Sequence, residues 1–176
     1  MTYGEPVERT LTARPPLDPT RLRQAVLQPG GLWHQVTVLA ETESTNADAA
    51  RAAWDGAAEG LVVVAEHQRA GRGRAGRQWT SPPSAGLTLS VLLRPASSGP
   101  GRPPAPVPRW GWLPLLTGVS LAESVTTVTG LPAQLKWPND LLVAGGKCAG
   151  VLAEVVGDAV VLGVGLNVTL RAEELP

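Results

Sequence analysis

Two clusters in this chain carry residue types suited to anions. The first runs Glu66-His67-Gln68-Arg69-Ala70-Gly71-Arg72-Gly73-Arg74-Ala75-Gly76-Arg77-Gln78-Trp79. Arginines at 69, 72, 74 and 77 alternate with glycines at 71, 73 and 76. Arginine presents a forked set of donors to carboxylate or phosphate oxygens, and glycine lets backbone approach a ligand closely. Four like charges this close repel one another, so the segment is expected to avoid the core, to be mobile alone and to order around an anion. The GxxxxGK[ST] pattern is absent, which excludes a Walker loop. A solvated charged loop and an arginine–glycine nucleic-acid segment stay open as alternatives.

The second cluster is Leu135-Lys136-Trp137-Pro138-Asn139-Asp140-Leu141-Leu142-Val143-Ala144-Gly145-Gly146-Lys147-Cys148-Ala149-Gly150. The chain has 15 basic residues, and only Lys136 and Lys147 are lysines. Where a sequence otherwise writes arginine, a lysine suggests a position that needs a compact ammonium. Pro138 biases Trp137 to an extended conformation, and Asn139-Asp140 and Ala144-Gly145-Gly146 are turn formers. The pattern is a hairpin that brings both lysines to one part of a sheet. Gly150 leaves room for a group against the backbone. Exposed lysines kept for solubility would explain the lysines but not Trp-Pro-Asn-Asp.

Asparagine is as scarce as lysine, at 46, 139 and 167 only. Ser44-Thr45-Asn46 stands where a strand enters a helix, a place where free N–H groups and short polar side chains collect. That suits a neutral polar ligand group, and helix capping explains it equally well. Gly163-Val164-Gly165-Leu166-Asn167 closes a β-branched strand. Its two glycines imply close approach by another group, either a ligand or a packed side chain.

The elements that must position these residues follow from periodicity. A short helix is predicted over Arg21–Leu27, and a second over Ala47–Trp54, capped by Ser44 or Thr45. Trp112–Thr129 is long and apolar enough for a buried helix, ended by Gly130 and Pro132. Strands are predicted at Val36–Ala40, Leu61–Ala65, Leu87–Leu93, Gln134–Trp137, Leu141–Val143, Ala149–Val155 and Ala159–Val168. Six prolines in Pro95–Pro108 predict a surface loop. Helices come early and an antiparallel meander comes late. This is an α+β class, with a mixed, largely antiparallel sheet and helices on one face. Residues 1–35 are expected to form a Pro-rich N-terminal segment, 36–170 the main folded domain, and 171–176 the start of a linker.

A chain of 176 residues fits one domain. Acidic and basic residues balance at 15 each, which removes the global basic excess of a general nucleic-acid binder. The lone Cys148 excludes an internal disulfide and suits a reducing compartment. Met1–Leu11 carries both signs of charge and no apolar run, so no leader and no membrane span are expected; the expected location is the cytoplasm.

Taken in order from about Glu41 to Asn167, these segments resemble the biotin–protein ligase family. The carriers are Gly71-Arg72-Gly73-Arg74-Ala75-Gly76-Arg77-Gln78-Trp79, Lys136-Trp137-Pro138-Asn139-Asp140, a lysine seven residues later, and Gly163–Asn167. Lipoate–protein ligases share the fold but not this combination. The resemblance implies a class II aminoacyl-tRNA synthetase-like fold, with biotin and ATP as substrates and Mg²⁺ as cofactor. It implies that biotinyl-5′-AMP forms and that biotin then passes to a lysine of a biotin carboxyl carrier protein. Ser44, Thr45, Asn46 and Gln68 would hold the biotin ring. Arg72, Gly73 and Arg74 would close over biotin and the adenylate, with Arg77 beside the nucleotide and Trp79 shielding the pocket. Lys147 would contact the biotin carboxylate and the α-phosphate, and with Arg74 would carry the catalysis. Lys136, Asn139 and Asn167 would contact ATP or organise its site, and Asp140 would hold Mg²⁺.

Two features depart from the family. The Pro-rich N-terminal stretch has no room for the DNA-binding domain of many bacterial members, so no DNA partner is expected. The chain stops where the family's C-terminal barrel would begin, which leaves its full activity in question. A homodimer, a lipoate or octanoate ligase and an inactive biotin-binding module stay open.

Overall fold

A computed structural model describes residues 14–97 and 103–174. The expectations for Met1–Leu11, for the middle of the Pro-rich loop and for the last two residues lie outside them.

Helix α1 (Pro19–Val26) starts at Asp18, whose carboxylate accepts hydrogen bonds from the Thr20 and Arg21 amides. Strand β1 (Gln35–Thr42) leads into α2 (Thr45–Trp54), where Ser44 is the cap. Strands β2 (Leu61–Gln68) and β3 (Gly86–Leu93) flank the Arg/Gly loop. A 3-10 turn (Val107–Trp112) enters α3 (Leu113–Thr129), which ends at Gly130 with φ 71°. The meander follows as β4 (Ala133–Lys136), β5 (Asp140–Val143), β6 (Gly146–Val156) and β7 (Ala159–Asn167).

The seven strands form one sheet in the order β1-β2-β3-β7-β6-β5-β4. Only β1 and β2 run parallel; the other neighbours are antiparallel. The mixed, largely antiparallel sheet agrees with the sequence. The helices differ in one respect, because they cover both faces. Successive strand residues point to opposite sides. Leu61, Val63, Leu92 and Val161 pack under Ala49 and Ala53 of α2. Val62 and Val64 pack on the other side against Val26 and Leu27, and Leu141 and Ala149 against Val125 of α3. Thus β2 is buried on both faces, which is why it reads as a continuous apolar run.

Two Pro-rich segments take part in the core. The stretch before residue 35 contributes α1, Leu17 and Trp33 to the apolar layer on β1 and β2. The Pro-rich segment is closed at its base by the Ala105 amide donating to the Pro95 carbonyl at 2.7 Å. Its last residues form the 3-10 turn, which sinks Trp110 between Val160 and Leu162. The two described ends also meet, with Arg14 donating to the Glu174 carboxylate at 2.6 Å. This bond, with the Arg171 amide adding to it, holds Glu174 below the ordinary carboxylate value.

Candidate active site

The α2 side of the sheet leaves a cleft beyond the helix N-terminus. Ser44, Thr45 and Asn46 line one end, each at most 4% exposed. The Ser44 hydroxyl accepts from the Ala47 amide, so capping uses Ser44. Thr45 and Asn46 serve a different purpose. Both the amide and the hydroxyl of Thr45 donate to Gln68 Oε1, at 2.8 and 3.0 Å. Ser90, fully buried on β3, lies 2.8 Å from Thr45 Oγ1 and 2.5 Å from Asn46 Oδ1. Asn46 Nδ2 donates to Glu154 Oε2 at 2.6 Å. This end of the cleft is therefore a connected, mostly neutral hydrogen-bond network in a dry setting, where each bond counts for more than in water.

The opposite end is cationic. Arg72, Arg74, Arg77 and Lys147 line the same cleft, with Gly73, Trp79 and Asn139. The Arg/Gly loop is closed on itself: Arg72 bridges Gln78, the Gly73 amide donates to Arg77 O, and the Trp79 amide donates to Gly71 O. Ala75, at φ 56°, takes the left-handed turn at the tip with Gly76. A side chain at Gly71 would collide with the Trp79 carbonyl, so only glycine permits this closure.

Lys147 stands at the start of β6, where a register shift between Leu141 and Leu142 interrupts the pairing with β5. Its ammonium lies 2.9 Å from Asp140 Oδ1 and 5.7 Å from the Trp79 ring centroid. That carboxylate oxygen is buried and accepts no hydrogen bond of good geometry. Asn139 Nδ2 donates to Val151 O, and the Val151 amide returns a bond to Asn139 O. Asn167 Nδ2 donates to Lys147 O at 3.3 Å. The two asparagines therefore brace the hairpin from both sides.

The two glycines of β7 admit side chains of the protein itself. A Cβ on Gly163 would collide with Asn46, and one on Gly165 with the Trp79 indole. The packing explanation holds, and it serves the cleft by seating two of its walls. Trp79 Nε1 is buried there without a hydrogen-bond partner among the described residues.

Most predicted positions converge. Lys136, Asn167 and Asp140 do not line this cleft. Lys136 pairs with Asp140 across β4 and β5 and faces a second, apolar hollow of about 180 Å³ under α3. Strand alternation and the turn carry it away from Lys147. The Trp137–Pro138 peptide is cis, a feature that the extended-residue expectation did not contain. Ser90, Glu154 and Gln78 were missed. Ser90 and Thr88 are polar at alternate positions of an otherwise apolar strand, and Glu154 is a lone charge in Val151–Val156; either break in pattern could have flagged them. Outside the cleft, Glu41 shares a hydrogen bond with His67 and pairs with Arg69; the first interaction, more than the second, lowers its pKa.

With this geometry in hand, relatives become informative. Residues 38–169 match the profile of the biotin/lipoate A/B protein ligase family. The chain belongs to that family. It is 48% identical, over 92% of its length, to a biotin–[acetyl-CoA-carboxylase] ligase of Mycobacterium tuberculosis, of which it spans 60%. Biotin protein ligase from Aquifex aeolicus, solved in complex with biotin and ATP, superposes with a TM-score of 0.66 at 35% identity, over 82% of this chain and 56% of that one. The Leishmania major biotin protein ligase in complex with biotinyl-5-AMP gives 0.67 at 28% identity, over 77% and 58%. The chain thus spans roughly three fifths of the length of each of these three proteins.

Proposed function

We propose that this chain carries the catalytic centre of an ATP-dependent biotin–protein ligase. The observation that carries the reading is the polarity of one cleft, which joins an uncharged hydrogen-bonding group (Ser44, Thr45, Asn46 and Gln68) to four cations, with Arg72 linked to Asn46 through Glu154. Biotin has the matching polarity: an uncharged ureido ring at one end and a carboxylate at the other. Ser44, Thr45, Asn46 and Gln68 face the ring, and Lys147 receives the carboxylate where it meets the α-phosphate of ATP. The reading agrees with the relatives' names and with the ligands bound in the Aquifex and Leishmania enzymes.

The chemistry is a displacement between two anions. A biotin carboxylate oxygen bonds to the α-phosphorus of ATP, the bond to the bridging oxygen breaks, and pyrophosphate leaves. Lys147 offsets most of the repulsion and of the charge on the phosphoryl oxygens, with a smaller share from Arg72 and Arg74. The mixed anhydride is reactive toward water, so the Arg/Gly loop and Trp79 screen it. A carrier lysine amine then attacks the acyl carbon, loses its proton, and AMP departs. Asn139 and Asn167 organise the nucleotide side by bracing the strand that holds Lys147. Lys136, on the far side of the hairpin, contributes at most through that brace.

Magnesium commonly binds through one or two carboxylates plus substrate phosphates. Asp140 fits that role poorly, because its Oδ1 is paired with the Lys147 ammonium at 2.9 Å and it does not line the cleft, and no cluster of three His, Cys, Asp or Glu exists among the described residues, so an ion would be held mainly by the substrate phosphates. The ion would supply charge neutralisation on the phosphates. The acceptor is a biotin carboxyl carrier protein or domain. No helix among the described residues is long and apolar enough to cross a membrane. The test is pyrophosphate release from MgATP with biotin, beside lipoate and no-acid controls. Release dependent on biotin is expected; release with lipoate alone would reassign the substrate.

A further inference from the structure

We infer that Glu154 is a positioning residue for ring recognition, acting through Asn46 and Arg72 without itself lining the cleft. The inference rests on the biotin reading of that cleft. Glu154 sits on β6, on the same strand face as Gly150 and Leu152. Its Oε2 accepts from Asn46 Nδ2 at 2.6 Å and from Arg72 Nη2 at 3.0 Å. One carboxylate oxygen thus joins the helix N-terminal end of the cleft to the Arg/Gly loop, 82 residues apart from Arg72 in sequence. Gly163 on the neighbouring strand makes this possible, because any side chain there would displace the Asn46 amide.

The carboxylate also sets the polarity of the network. An ionised carboxylate only accepts, so Asn46 must turn its Nδ2 toward it and its Oδ1 toward Ser90. Ser90 is then drawn to donate to Asn46, and with the Thr45 hydroxyl donating to Gln68 the Ser90–Thr45 contact is left short of a proton. Thr45 and Ser90 own two hydroxyl protons for three contacts: Thr45 to Gln68, Ser90 to Thr45, and Ser90 to Asn46. The network is therefore rich in acceptors, which suits the two N–H donors of a cyclic urea. A glutamine at 154 has nearly the same shape but can donate. It allows the Asn46 amide to flip, which reverses the direction of the chain, and it removes the charge that holds Arg72.

The test is a double-mutant cycle in the chain, with Glu154→Gln, Arg72→Ala and the pair. Biotin affinity is read by calorimetry, and unliganded melting temperature by circular dichroism. Each single variant is expected to weaken biotin at least tenfold, the pair no more than the worse single, with the Glu154→Gln melting temperature unchanged. Glu154→Gln binding like the parent, additive losses in the pair, or losses that follow a lowered melting temperature would each overturn the inference. If the parent itself binds no biotin, the reading of the cleft fails instead, a result that the same titration distinguishes.

Discussion

The two cationic arms of the cleft are built on different principles. The Lys147 arm is a strand start clamped by side chains: Asp140 pairs its ammonium, Asn167 holds its carbonyl, and Asn139 fastens the preceding turn to β6. The Arg/Gly arm is a loop closed mainly by its own backbone, with one side-chain bond from Arg77 Nε to Arg74 O and no ion pair at Arg74 or Arg77 among the described residues. One arm holds a single charge at one place. The other spreads several charges over a loop tied to the rest of the cleft chiefly by the Arg72–Glu154 pair and the Trp79 seat on Gly165. The difference suggests a division of labour, in which the hairpin forms the adenylate and the loop retains it.

Substitutions in each arm break or sharpen that division. The largest effect is expected for Lys147→Ala. Adenylate formation should fall on the order of 10²–10³-fold, the scale of removing one preorganised charge-stabilising donor. Single-turnover pyrophosphate release measures this; a near-normal rate would remove Lys147 from the first step. Arg74→Gly should do the opposite. Formation should stay within a few-fold while the adenylate escapes at least tenfold faster, read as biotin on unrelated lysines in the mixture. If the two variants show the same defect, the arms do not divide the reaction.

Stability should separate the arms in the same direction. Asn139→Ala removes the side-chain bond to Val151 O that braces a turn and should cost about 1–2 kcal/mol, measured by urea unfolding. Arg77→Ala changes an exposed side chain and should stay within about 0.5 kcal/mol of the parent. A smaller effect is expected at the Arg14–Glu174 pair, which serves as a control for acid. Glu174 is depressed in the fold, so its contribution is present above the unfolded value near 4.5 and is lost as pH falls through the lower folded value. Melting curves of the parent and Glu174→Gln should differ slightly at pH 7 and converge as pH falls through the lowered folded value; a constant gap would place the effect elsewhere.

The sequence made the arms themselves legible. Strand β2 and the β4–β7 meander followed from period and turn residues, because alternation and Gly-rich turns are local properties. Scarce Lys and Asn against an arginine-rich background marked Lys147, Asn46 and Asn139, all of which line the cleft. Composition could not separate Lys136 from Lys147. Which lysine enters the cleft depends on strand facing and the register shift at Leu141/Leu142, neither of which is written in residue type.

Other decisions belong to the tertiary structure alone. Helices on both faces follow from where α1 and α3 pack, and the apolar run of β2 is consistent with either arrangement until the neighbouring strands are known. Ser90 and Glu154 became partners of Asn46 through pairing across β3, β7 and β6, which brings together residues 44 and 108 positions apart. The glycines at 163 and 165 announced close approach, but only the fold named Asn46 and Trp79 as what approaches. The chemistry of the cleft was carried by residue types and local spacing, whereas its wiring required long-range contacts that no local pattern specifies.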